Sequence, residues 1–147
     1  MPIVDRDISH ELLDMASQYP VVTLLGPRQS GKTTLVKQLF QAKPYVSLEN
    51  PDDRAFAEAD PRAFLEGYPE GVILDEIQRL PLLLSYIQGI VDQTKRKGLF
   101  ILTGSHQHQL HQSVSQSLAG RTAILKYFPF CLAELPQSLQ HQALEDY

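Results

Sequence analysis

The sequence predicts an α/β fold in which helices cover both faces of a parallel, five-stranded sheet. Two observations predict it. Short, largely apolar runs recur along the chain, at 21–25, 44–48, 72–74, 99–102 and 122–125, and the first is rich in β-branched residues. Segments with apolar residues at helical spacing lie between these runs. Because continuous apolar runs are typical of strands buried on both faces, and because strands alternate with helices, we expect parallel pairing.

The composition is that of one ordinary globular domain: 147 residues, 43% hydrophobic and 20% charged. The net charge of −4 argues against a surface that coats nucleic acid, although a local basic groove remains open. The single cysteine, Cys131, excludes an internal disulfide and suits a reducing compartment. We find no signal peptide and no apolar run of membrane-spanning length, so we expect a cytoplasmic protein with no membrane partner.

The first helix and the second strand are predicted from their ends. Asp5 or Asp7 is expected to cap a helix whose apolar face is complete before Pro20. Pro44 leads the second apolar run, 44–48, and a leading proline is typical of a strand at the sheet edge.

The middle of the chain is expected to be helical outside its strands. Residues 49–71 are rich in Pro, Asp, Arg and Ala, and Asp60-Pro61 is typical of a helix start. Pro81 is expected to open a longer helix that Gly98 ends. A more polar helix with Leu110 on its apolar face should precede the fifth strand.

A glycine loop, GPRQSGKT at 26–33, separates the first strand from the next helix and fits the phosphate-binding pattern G-x-x-x-x-G-K-[ST], a P-loop. Its N–H groups form an anion cradle at the helix start. We expect Lys32 to reach the β- and γ-phosphates of a nucleotide and the Thr33 hydroxyl to bind Mg²⁺. The predicted nucleotide-binding residues are Gly26, Pro27, Arg28, Gln29, Ser30, Gly31, Lys32, Thr33 and Thr34.

The third strand ends in two carboxylates. We expect Asp75 to hold Mg²⁺ directly or through water, as the acidic partner of the P-loop threonine. Glu76 is predicted to be the catalytic base that polarises an attacking water. Many strands end in acidic turns, but together with an upstream P-loop the pair indicates hydrolysis at a γ-phosphate.

Polar side chains also follow the fourth strand. Ser105 is our first candidate for a catalytic side chain that senses the γ-phosphate or orients the water, and Thr103 is the second. The alternative is a Ser/Thr turn that only caps the next helix.

These motifs together resemble a known family. The segments that carry the resemblance are 26–34, Asp75-Glu76-Ile77-Gln78, Thr103-Gly104-Ser105 and Ala119-Gly120-Arg121. They look like the ATPase domain of AAA-type P-loop proteins, most of all the bacterial and archaeal group described only as ATP-binding AAA proteins. Ser47-Leu48-Glu49 and Phe128-Pro129-Phe130 are similar too, so the resemblance spans roughly residues 10–135.

The resemblance implies a P-loop NTPase three-layer sandwich with strand order 5-1-4-3-2. It implies ATP rather than GTP, with Mg²⁺, and the guanine-reading motif Asn-Lys-x-Asp does not occur in the sequence. It also makes Arg121 a candidate catalytic arginine that neutralises γ-phosphate charge in its own or a neighbouring subunit. A structural salt bridge is the alternative for Arg121.

Proteins of this group normally continue into a helical lid and a further domain. Here we expect an ATPase core over residues 1–135 and a polar helical tail over 136–147, the remnant of a lid or linker. A missing lid predicts weak turnover.

The leading hypothesis is Mg²⁺-dependent ATP hydrolysis that drives a conformational change in a partner or attached domain. The alternative is a nucleotide-gated binding module with negligible turnover. Self-association or a protein partner remains open, whereas the net charge does not support a nucleic-acid partner.

Overall fold

The computed structural model describes residues 3–27, 31–105 and 107–127, and of residues 3–7 only the backbone. The helices are α1 (Ile3–Gln18), α2 (Lys32–Leu39), α3 (Pro51–Ala59), α4 (Pro61–Glu66), α5 (Leu83–Thr94) and α6 (His108–Ser117), with a short 3-10 helix at Ile77–Arg79. The strands are β1 (Val21–Leu25), β2 (Tyr45–Ser47), β3 (Val72–Asp75), β4 (Phe100–Gly104) and β5 (Thr122–Lys126).

The strands form one parallel sheet in the order β2-β3-β4-β1-β5. Read from the other edge, this is 5-1-4-3-2, so the predicted fold class and strand order are confirmed. The short β2 lies at an edge, as its leading proline predicted.

The sheet has a separate apolar core on each face. Successive residues of β1 point to opposite faces, so Val21 belongs to one core and Val22 to the other. One core receives side chains from α3, α4, α5 and α6, and the other receives them from α1 and α2. This arrangement is the predicted three-layer sandwich. Among the residues that the structure describes, no helix is long and apolar enough to cross a membrane.

The prediction of a helix start at Asp60-Pro61 is confirmed. Pro61 is the first residue of α4, and the Asp60 carboxylate accepts a hydrogen bond from the Ala63 N–H at 3.1 Å. The cap predicted for α1 is wrong, because α1 begins at Ile3 and both Asp5 and Asp7 lie within it. Acidic residues are also favoured inside a first turn by the helix dipole, so their position alone does not mark the boundary.

The predicted ends of α5 are also wrong. The helix begins at Leu83, two residues after Pro81, and it ends at Thr94, where Lys95 adopts a left-handed conformation with φ 58°. Gly98 lies beyond the end of the helix, in the turn that leads to β4. Its N–H donates to the Tyr19 carbonyl at 2.8 Å and its positive φ of 63° brings the chain back to the sheet. The tail predicted over 136–147 lies outside the described residues.

Two glycines allow a matched test of the fold. Gly71, just before β3, has φ 94°, and a Cβ there would lie 1.7 Å from the Leu99 carbonyl oxygen. Gly89, inside α5, has open space around the same position. We expect Gly71→Ala to lower the free energy of unfolding by at least about 2 kcal/mol, because it adds a backbone clash to an unfavourable conformation. Gly89→Ala should raise it by about 0.5–1 kcal/mol. Urea unfolding measures the stability of both variants. Equal midpoints would contradict the close contact between Gly71 and Leu99.

Candidate active site

The candidate site lies where parallel strands end. The ends of β1 and β4 are joined by a hydrogen bond from the Gly26 N–H to the Gly104 carbonyl, 3.1 Å long. Asp75 ends β3 at the same edge, and α2 begins there at Lys32. In open parallel sheets this edge, beyond the carboxyl ends of the strands, is where ligands bind.

Gly26, the first residue of the glycine loop, is packed against the chain that leaves β5. A Cβ on Gly26 would lie 3.0 Å from the Tyr127 carbonyl oxygen, so the close approach favours glycine there. Gly31 precedes α2 with φ 93°, a conformation that glycine adopts without strain. Pro27, the second residue of the loop, and Thr34, in the first turn of α2, are both exposed. The predicted phosphate contacts of Arg28, Gln29 and Ser30 lie outside the described residues.

Lys32 is buried at the start of α2, with 2% of its surface exposed. Its ammonium donates to the Pro27 carbonyl at 3.1 Å and lies 3.8 Å from Glu76 Oε1. The structure therefore brings the predicted phosphate-binding cation beside the predicted catalytic carboxylate.

Asp75 is the centre of a cluster of hydroxyl groups. Thr33 Oγ1 lies 3.2 Å from Asp75 Oδ1 and 3.1 Å from Oδ2. The hydroxyls of Tyr45 and Thr103 also donate to this carboxylate. Within the described residues, neither a lysine nor an arginine forms an ion pair with Asp75, although its exposure is only 6%. A buried carboxylate in such a setting favours a cation as a neighbour.

The donors at this point fit Mg²⁺. Thr33 and Asp75 supply the oxygen ligands that Mg²⁺ prefers, and Mg²⁺ takes its other ligands from water and phosphate. The two buried carboxylates and Lys32 sum to one negative charge, which a polyphosphate would increase and a divalent cation would offset. Across 3–27, 31–105 and 107–127, no group of three or more His, Cys, Asp or Glu side chains could hold a metal.

The two candidates after β4 differ in their surroundings. The Thr103 hydroxyl donates to Asp75 and accepts from the Glu76 N–H at 3.2 Å, so it fixes both carboxylate residues. Ser105 Oγ is buried and has no hydrogen-bond partner among the described residues. A buried hydroxyl without a partner indicates that a ligand or water completes it. Ser105 does not cap α6 through its side chain, because Gln107 is the cap residue and no side-chain bond is made there.

Two residues at the site were not singled out from the sequence. Tyr45 reaches Asp75 from the edge strand β2, and burial, followed by the hydrogen bond to Asp75, raises the pKa of its phenol. The phenol therefore stays a hydrogen-bond donor at neutral pH. Gln78 donates through its amide to Glu76 Oε2. The sequence did contain a signal for each of them. Gln78 belongs to the segment 75–78 that resembles the family, and the expected strand order placed β2, which carries Tyr45, beside β3.

Arg121 lies away from this site. It precedes β5, and its carbonyl accepts from the Val21 N–H at the amino edge of the sheet. The five residues of β1 separate that edge from the P-loop by about 16 Å. Its guanidinium forms a two-point ion pair with Asp92, with distances of 2.6 and 3.0 Å. The predicted finger role within the same subunit therefore has no geometric support, and the salt-bridge alternative describes the contact.

Comparison with known proteins points to one family. A family model described as AAA domain, AAA_14, matches residues 18–136. Two uncharacterized proteins, Mb2031c of Mycobacterium bovis and Rv2008c of Mycobacterium tuberculosis, are each 37% identical over 128 residues. The match covers 86% of this chain and 29% of each relative. The chain thus spans less than a third of the length of these relatives.

Solved structures share the fold at low sequence identity. A DNA replication initiation factor matches 99% of this chain and 51% of its own, with a TM-score of 0.57 and 14% identity. The P-loop NTPase domain of a sigma-54 transport activator from E. coli matches 82% of this chain and 93% of its own, with a TM-score of 0.53 and 14% identity. A Walker-type ATPase of Pyrococcus abyssi matches 97% of this chain and 63% of its own, with a TM-score of 0.53 and 18% identity. These likenesses concern the fold alone.

Proposed function

Because this chain belongs to the AAA_14 family of AAA domains, we propose that it binds ATP with Mg²⁺ and hydrolyses it. Hydrolysis would drive a conformational change in an attached domain or a partner. The observation that carries the proposal is the contact of Thr33 Oγ1 with both oxygens of Asp75, at 3.2 and 3.1 Å. A phosphate-binding loop and an acidic strand end meet there as Mg·nucleotide binding requires.

We assign roles in this reaction to Lys32, Thr33, Asp75 and Ser105. Lys32 exchanges its contacts with Pro27 and Glu76 for phosphate oxygens, while Thr33 and Asp75 hold the metal. Mg²⁺ held there would supply positive charge that offsets the charge of the phosphates. Ser105 Oγ is available to donate to a phosphate oxygen.

Glu76 takes the proton of the attacking water. As the water oxygen bonds to the γ-phosphorus, the bond from that phosphorus to the bridging oxygen breaks and ADP leaves with the electron pair. The products are ADP and inorganic phosphate. The metal, these residue roles and a cytoplasmic location are all parts of the proposal.

One observation favours the second candidate, a nucleotide-gated binding module. Hydrolysis is usually accelerated by a further cation, an arginine finger, that is worth about 10³–10⁵ in rate. Arg121 lies at the opposite edge of the sheet and is paired with Asp92. Within one subunit Arg121 is therefore not placed to act as the finger, whereas Lys32 lies beside Glu76.

Single-turnover hydrolysis decides between the two candidates. With enzyme in excess over γ-³²P-labelled ATP, we expect slow, Mg²⁺-dependent release of phosphate that stops in EDTA. The rate per chain should rise with protein concentration if Arg121 acts in a neighbouring subunit, and Arg121→Ala should remove that rise. Tight Mg·ATP binding with no phosphate release above the uncatalysed rate would instead establish the binding module.

Nucleotide preference is a separate prediction. We expect ATP to displace a bound fluorescent ATP analogue at lower concentrations than GTP does, because the family resemblance implies adenine and the guanine-reading motif is missing from the sequence. Competition titrations with both nucleotides in the same Mg²⁺ buffer measure this preference. Equal displacement would contradict ATP as the preferred nucleotide.

A further inference from the structure

Glu76 has an unusual backbone. It lies between β3 and the 3-10 helix Ile77–Arg79 with φ 61° and ψ 53°, in the left-handed region. A non-glycine residue there is strained, and such residues cluster at functional sites. The turn brings the Glu76 side chain into contact with that of Gln78, two residues further on.

Both ends of the Gln78 amide are used. Its Oε1 accepts from the Ser105 N–H at 3.3 Å, and its Nε2 donates to Glu76 Oε2. Because a backbone N–H can only donate, the amide oxygen must face Ser105, and the NH₂ group must then face the carboxylate. Gln78 therefore links the end of β4 to the Glu76 carboxylate with a fixed amide orientation.

The end of β4 leaves space for this link. A Cβ on Gly104 would lie 2.9 Å from Gln78 Oε1 and 2.5 Å from Leu110 Cδ2. The glycine before Ser105 thus lets the Gln78 amide lie against the strand end. Gln78 itself is only partly buried and lines an open groove with Pro81, Gln107 and Leu110, so the apolar cores do not depend on it.

The second oxygen of Glu76 faces Lys32. Lys32 Nζ lies 3.8 Å from Glu76 Oε1, on the other side of the carboxylate from the Gln78 contact. When Lys32 turns to phosphate, Gln78 is the remaining side chain among the described residues that holds this carboxylate by a hydrogen bond. The orientation of the base then depends on Gln78.

We propose that Gln78 is a positioning residue for the reaction, which holds the Glu76 carboxylate and ties it to Ser105. A displacement of Ser105, where the phosphate is expected to bind, is thereby transmitted to the base through one amide. This inference rests on the proposed ATPase function, and it adds a residue that acts through Glu76.

A double-mutant cycle tests the inference. Gln78→Met keeps the side-chain length but removes both hydrogen bonds. We expect it to lower the single-turnover rate by about 10- to 100-fold, since small displacements of a catalytic group have effects of this size. Affinity for Mg·ATP should stay within about twofold. In the Glu76→Gln background the same substitution should change the rate by less than about twofold, because its effect passes through Glu76.

Gln112→Met is the matched control. Gln112 is an exposed glutamine on α6 that lines the same groove, and no contact with Glu76 involves it. We expect its rate and its affinity to equal those of the wild type. If Gln78→Met lowered the rate by the same factor in the Glu76→Gln background as in the wild type, the two effects would be independent and the inference would be overturned. An unchanged rate in Gln78→Met would also overturn it.

A second measurement does not need turnover. In ¹⁵N–¹H spectra of the nucleotide-free protein, the side-chain amide signals of Gln78 are those that Gln78→Met removes. We expect one of these protons to be shifted downfield by the carboxylate and to return to the ordinary glutamine position in Glu76→Ala. If the chemical shifts of these protons did not change in Glu76→Ala, the contact between Gln78 and Glu76 would be contradicted. A wild type that binds Mg·ATP without hydrolysis would refute the ATPase proposal separately, while these signals still decide the link.

Discussion

Lys32→Ala is expected to weaken the binding of Mg·ATP by about a hundredfold or more. Lys32 is buried at the start of α2 and lies beside the glycine loop, where the phosphates would bind. Truncating one partner of a buried, hydrogen-bonded charge pair costs about 2–5 kcal/mol, and about 2.8 kcal/mol is a hundredfold in affinity. Equilibrium titration with a fluorescent ATP analogue measures the loss.

Lys97→Ala is the control for that titration. Lys97 is exposed near the amino edge of the sheet, away from the glycine loop, so its loss changes the net charge equally without touching the site. We expect the control to bind within about twofold of the wild type. Because Lys32→Ala also leaves Glu76 without its neighbouring ammonium, urea unfolding must show that the variant is folded at the titration temperature. A folded Lys32→Ala variant with wild-type affinity would contradict the P-loop assignment.

Glu76→Gln should separate binding from hydrolysis. The amide keeps the shape of the side chain but cannot take a proton from water, and loss of a general base costs about 10²–10⁴ in rate. Binding of Mg·ATP should be unchanged or tighter, since one negative charge near the phosphates is removed. Single-turnover hydrolysis and analogue titration on the same preparation test both parts.

The matched control for Glu76→Gln is Glu66→Gln. Glu66 is exposed at the end of α4 and loses the same charge far from the phosphate-binding loop. We expect wild-type hydrolysis from this control. Equal rates in Glu76→Gln and the wild type would remove Glu76 as the base and leave Asp75 as the functional carboxylate of the pair.

The fold was predictable because its signals are local. Each buried strand is a short apolar run, and the loop 26–33 joins the first of them to a helix at a glycine. Parallel pairing then follows from the alternation of strands and helices. The strand order came from the family resemblance instead, because periodicity does not say which strands are neighbours.

Position along each strand explains what the sequence placed correctly and what it did not. Asp75 ends its strand and therefore reaches the carboxyl edge with the P-loop, as predicted. Arg121 precedes its strand, so the same rule places it at the opposite edge. The contacts of Tyr45 and Gln78 could not be predicted in this way, because a hydrogen bond between side chains depends on rotamers and on tertiary distances that the pattern does not contain.

We propose that Thr33 and Asp75 hold a metal that binds together with the nucleotide. Calorimetric titration with a non-hydrolysable ATP analogue, in excess Mg²⁺ and again in EDTA, tests it most directly. We expect one site per chain, with affinity at least about tenfold lower in EDTA, and no difference between the two buffers for Asp75→Ala. Equal affinity of the wild type in both buffers, or an undiminished effect of Mg²⁺ in Asp75→Ala, would contradict it.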